Sequence, residues 1–199
     1  MIRRTPALLF ALLLALTGCG STPETRWYLL EASGTSAAAA DGPRIGIARL
    51  EVAEYLLSPH IQTRDGTNSL RRANFAQWAE PLDKGVSRVL LLDLAAAVGT
   101  ERVRLAPWPR DWVPEREVMV RIQRLDAGES EARLVATWSV QDGARKTPAR
   151  DRLAQISIPR SGSDGAAVAA DLSALLNELA LRIASDIAAG AGDATGASD

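Results

Sequence analysis

The chain has a single cysteine and a single histidine in 199 residues. A metal site built from thiolates and imidazoles needs several such ligands. No disulfide can close within a chain that has one cysteine, so the fold must rest on packing alone. Phenylalanine and tyrosine are scarce, with two of each. Charge of one sign is missing too: 23 basic residues stand against 24 acidic ones. That balance argues against nucleic acid as a partner. No apolar run approaches the roughly 20 residues of a membrane-spanning helix. The chain carries no GxGxxG, no Walker loop and no H-E-x-x-H. Ser58 precedes His60 by two residues, but a nucleophile and its base must meet in space beside an orienting acid. His60 therefore reads as a half-exposed residue at the start of a strand. Carboxylates are scattered without a paired spacing, and a helix N-terminus accounts for Glu80. These absences describe a protein that is no enzyme and has no cofactor and no metal.

What is present begins at the N-terminus. Arg3 and Arg4 precede an apolar stretch from Ala7 to Leu16, and Leu16-Thr17-Gly18-Cys19 follows. This order is a secretory signal ending in a lipobox rather than an A-x-A-like site. The expectation is a signal peptide over 1–18, cleavage before Cys19, and acylation of its thiol (palmitate or a similar chain) and of the new amine. Two or more acyl chains anchor a protein stably. Loss of Arg3 and Arg4 leaves 21 basic against 24 acidic residues, too few for an electrostatic grip on anionic lipid. Gly20 stands where aspartate commonly retains lipoproteins at the inner membrane, so the reading favours a lipid-anchored protein of the outer membrane, facing the periplasm. The lipidated tether spans 19–25, and its stretch from Gly20 reaches at most about 20 Å.

The remainder reads as one α+β domain over 26–189, an antiparallel-rich sheet with two helices packed on one face. Short strands are expected at 26–30 and 102–106. The run 44–52 suits a strand buried on both faces. Strands at 60–64 and 69–72 flank Asp65-Gly66-Thr67-Asn68 and form a hairpin. A clearer hairpin joins 117–124 to 132–141, and another strand covers 152–158. Leu82, Val86, Val89, Leu90, Leu94 and Val98 recur at helical spacing, with Glu80-Pro81 at the start and Gly99 at the cap. Val168 to Ile187 repeats the pattern, with Ser163 or Asp164 as its cap. The tail 190–199 lacks an apolar anchor and reads as disordered.

Tryptophan is the one abundant aromatic, with five copies. Trp138 falls on an alternating buried face. Trp78 precedes the first helix and would staple it to the sheet. Trp108 and Trp112 lie in a loop stiffened by Pro107, Pro109 and Pro114. Such a loop makes a good contact surface, and the alternative is that one or both rings fold back on the core.

Two segments carry a resemblance. Tyr55-Leu56-Leu57-Ser58-Pro59-His60-Ile61-Gln62-Thr63-Arg64 is followed by Trp78-Ala79-Glu80-Pro81-Leu82, then Arg88-Val89-Leu90 and Leu94. Together with Trp27-Tyr28-Leu29-Leu30 they resemble the auxiliary lipoproteins of ABC-type and MCE transport systems, the PqiC-like family. Many members carry an acid where this chain has Leu57. The resemblance implies a docking or auxiliary subunit for lipid transport between membranes. It implies an MCE-domain protein and ABC or permease components as partners, and a ring-shaped homo-oligomer. Leu57, Pro59, Trp108 and Trp112 are the candidate partner contacts. The competing reading is a periplasmic lipid carrier, which would enclose an apolar cavity. The mixed polar faces of the strands and the narrow stripes of the helices suit a filled core instead.

Overall fold

A computed structural model describes residues 23–34, 39–143 and 151–195. Its eight strands are β1 (Arg26–Tyr28), β2 (Ile45–Val52), β3 (His60–Arg64), β4 (Leu70–Trp78), β5 (Val103–Leu105), β6 (Arg116–Ala127), β7 (Glu131–Asp142) and β8 (Arg152–Pro159). Two α-helices follow β4 and β8: α1 (Leu82–Val98) and α2 (Gly165–Thr195). The α+β class and the single domain agree with the sequence.

The sheet forks at β6. One side of β6 carries antiparallel β7 along its whole length, and β8 pairs with β7 beyond it. The other side is divided. Parallel β2 takes Arg116–Ile122, and β3 touches it only at Ala127. Beyond β2 lies parallel β5, while beyond β3 lie antiparallel β4 and then parallel β1. The strand directions follow: β1 runs opposite to β2 and β6. The start of β1 therefore points towards the end of the sheet where β6 finishes.

Two bulges set which side chains meet the core. Ala48 is an extra residue in β2 and Gln123 an extra residue in β6. Each shifts the alternation by one, because side chains on a strand switch faces at every residue. Ile45 and Ile47 face the helices before the bulge, and Leu50 and Val52 face them after it. The expected burial of both β2 faces thus holds only over Ile45–Ile47, and Arg49 beyond the bulge is exposed.

The helices cover one face of the sheet. Val86, Val89, Leu90 and Leu94 of α1 meet Leu175, Leu176, Leu179 and Ile183 of α2 over Val118, Val120, Ile122, Leu134 and Ala136, all essentially without solvent contact. Gly99 ends α1 at φ 75°, a conformation that favours glycine. Pro81 is the N-cap itself, one position earlier than the first-turn proline the sequence suggested. Asp164 caps α2, its Oδ1 accepting from Ala167 N–H at 2.8 Å. α2 continues to Thr195 across the segment expected to be disordered from 190. The run Ala188-Ala189-Gly190-Ala191 holds no proline to stop it. Residues 196–199 lie outside the described residues.

Candidate functional site

The tryptophan loop follows β5 and folds over the outer face of the sheet at the start of β2. A Cβ on Gly46 would stand 2.8 Å from the Trp108 ring and 3.1 Å from Pro114. Only glycine at 46 leaves room for that ring. Trp108 and Trp112 meet with centroids 5.7 Å apart and planes tilted by 58°. The Arg104 guanidinium lies over the Trp112 ring at 4.9 Å. The Trp112 backbone N–H also donates to the Pro109 carbonyl at 3.0 Å, which tightens the loop. Both rings are half-buried, and Val113 beside them is exposed. One edge of the pair is thus spent on the sheet and the other is presented to solvent.

Leu57 and Pro59 lie elsewhere. They follow β2 and border the end of β4, where Trp78 N–H donates to the Pro59 carbonyl at 2.8 Å. On the other side of β4, Ala79 N–H donates to the Tyr28 carbonyl at 2.8 Å. Leu57, Ser58, Pro59 and Trp78–Pro81 line an open groove of about 250 Å³. Both segments that carried the family resemblance therefore converge on one corner. Most of the second segment is structural there. Trp78 and Leu82 are buried in the core. Glu80 Oε1 accepts from Arg88 Nη2 at 2.8 Å, so Glu80 serves an ion pair as well as the helix N-terminus. Ser58 Oγ accepts from the His60 backbone N–H at 3.2 Å, which explains the Ser58–His60 spacing as a turn. Half-buried His60 is the first residue of β3, as expected.

A third feature was not legible in the sequence. Asp126 is 2% exposed and accepts from Arg64 Nη2 at 2.6 Å and Arg124 Nε at 3.0 Å. The sequence placed Asp126 in the hairpin turn, whereas β6 carries it to its penultimate position. Burial, with the Asp126 carboxylate beside it, pushes the Tyr55 phenol above its ordinary range. The Asp126 carboxylate likewise holds the Arg64 guanidinium more firmly protonated. Around this cluster a polar cleft of about 630 Å³ is lined by Arg64, Arg71, Arg124, Arg133 and Arg160. Acids meet these arginines: Arg160 donates to Asp171 at 2.7 Å, and Arg71 to Asp65 at 2.6 Å.

The four candidate contacts therefore form two surfaces. Trp108 sits over Gly46 near the start of β2, and Leu57 follows its end at Val52. Six strand residues separate those ends, about 20 Å. Among the described residues, no group of three His, Cys, Asp or Glu is placed to hold a metal. None of their helices is long and apolar enough to cross a membrane. Leu16, Thr17, Gly18 and Cys19 lie outside the described residues.

A family model described as the ABC-type transport auxiliary lipoprotein component matches residues 28–184. The fold is similar to the crystal structure of an uncharacterized protein, with TM-score 0.67 and 14% identity over 83% of this chain and 99% of the other. It is also similar to protein XCC0632 from Xanthomonas campestris, of the DUF330 family. There the TM-score is 0.66 and identity 17%, over 87% of this chain and 99% of the other. No curated protein matches the chain.

Proposed function

This chain belongs to the family of ABC-type transport auxiliary lipoprotein components, and from that premise we propose that it is a docking subunit. It is held at the periplasmic side of the outer membrane by acyl chains on Cys19. It receives an MCE-domain protein that works with ABC or permease components in moving lipid between membranes. The family is one of transport auxiliaries, not of enzymes.

The observation that carries the docking reading is the tryptophan pair. Two rings on a short loop are pre-organised with the guanidinium of Arg104 from β5, with one side open. Interfaces draw most of their binding energy from such aromatic and arginine anchors, and rigidity lowers the entropic cost of binding. Topology adds a second support. Because β1 runs opposite to β2, the tether enters towards the end of the sheet away from Trp108. An adaptor needs that separation between anchor and partner. The filled core between sheet and helices favours docking over the carrier reading, since the same side chains would have to leave room for acyl chains. A ring of several copies would repeat the tryptophan loop around one axis and multiply its hold on the partner.

The test is co-purification of the full-length lipidated protein with the MCE-domain protein encoded nearest to it. Trp112→Ala should weaken capture at least tenfold while membrane fractionation is unchanged. Equal capture by wild type and variant would remove the loop from the interface.

A further inference from the structure

Trp27 is 61% exposed and Leu29 is 44% exposed. They are two residues apart, Trp27 in the middle of β1 and Leu29 just beyond its end, so they share the face opposite to Tyr28 and Leu30. Leu30 is fully buried and Tyr28 packs against the core. Phe75, two residues before the Gln77 that pairs with Trp27, is exposed as well. Nothing in the fold requires large apolar side chains at these positions. Hydrogen bonds to β4 and the buried partners Tyr28 and Leu30 hold β1 whichever residues face outward.

We infer that this outer face of β1 rests in the headgroup layer of the membrane that holds the lipid anchor. The inference depends on the reading of Cys19 as acylated. The chain length makes it geometrically direct: Trp27 is the eighth residue after Cys19, at most about 28 Å away when the chain is fully extended. The anchor therefore keeps this patch at a high effective concentration beside the bilayer, where weak insertion suffices. Tryptophan is the side chain enriched at membrane–water interfaces, because its ring is apolar and its N–H stays hydrated. Charge plays a small part, since acids exceed bases after signal removal. The contact should therefore form on zwitterionic lipid and resist salt.

The experiment uses the full-length, lipidated protein in phosphatidylcholine vesicles. Cys19 is blocked by acylation, so Trp27→Cys, Leu29→Cys and Leu153→Cys each offer one thiol for a polarity-sensitive dye. Leu153 is 62% exposed on β8. Five strand spacings separate β8 from β1, about 24 Å. The expected result is strong quenching of the dyes at 27 and 29 by shallow nitroxide lipids, and none at 153, unchanged in high salt. Dyes at 27 and 29 that stay in water while the protein floats with the vesicles would overturn the inference and leave the anchor standing. Dyes shielded from water without nitroxide quenching would assign the patch to a protein contact and overturn it too. Failure to float would remove the anchor, and this inference with it.

Discussion

Arg88 Nη2 donates to Glu80 Oε1 at 2.8 Å and to the Leu30 carbonyl at 2.6 Å. One guanidinium thus fastens the start of α1 to the stretch that leaves β1. β1 is the first strand among the described residues, so this contact ties the entry of the domain to the helical layer. Arg88→Ala should lower stability by about 1–2 kcal/mol, with Glu80→Gln costing less because the Leu30 carbonyl keeps its donor. Urea unfolding of the detergent-solubilised protein reads both, and equal losses would contradict the shared role.

Gly46→Ala should displace Trp108, whose ring stands where the new methyl must go. A stability loss of about 1–3 kcal/mol is expected for such overpacking against a half-buried ring. The diagnostic readout is faster proteolysis within residues 106–114. Unchanged proteolysis would mean that the ring does not depend on the glycine.

Asp126→Ala should be the most damaging single polar change. It leaves Arg64 and Arg124 without the buried carboxylate that they share, and breaking such a buried pair costs about 3–5 kcal/mol. The hairpin β3–β4 should loosen most, because Arg64 joins it to β6. Hydrogen exchange would show protection falling first at residues 60–72.

The raised phenol of Tyr55 gives a pH dependence with a definite sign. Its folded pKa lies above the unfolded value, so the folded state holds the proton more tightly. The resulting stability is complete below about pH 10 and is lost as pH rises from there through the folded value. Tyr55→Phe should flatten that alkaline decline in the unfolding midpoint. A variant that declines as steeply as wild type would place the titration elsewhere.

The sequence disclosed what local pattern controls. Alternation marked the β6–β7 hairpin, helical spacing marked both helices, and Gly99 and Asp164 marked a cap at each. What it hid was long-range. Nothing in Arg26–Tyr28 announces that it pairs in parallel with Ala76–Trp78, because the two partners lie some fifty residues apart and local pattern carries no information on which strand pairs with which. β4 continues beyond the expected 69–72 through Ala73–Trp78, where its register against β3 jumps and the alternation is broken. The bulge at Ala48 breaks the alternation of β2, so burial of both its faces does not extend beyond it. Trp108 and Leu57 looked like one contact set because sequence carries no distance. Family resemblance singled out Trp78–Leu82, and the fold shows most of that block serving the corner between β4 and α1 rather than a surface.

The central claim is that the tryptophan loop receives an MCE-domain protein. The most direct measurement is photocrosslinking in living cells from a benzophenone amino acid placed at Val113, with Leu153 as the reference position and mass spectrometry of the adducts. The account predicts an MCE-domain adduct from position 113 and none from 153. No such adduct from 113 in correctly fractionated, lipidated protein, or the same adduct from both positions, would contradict it.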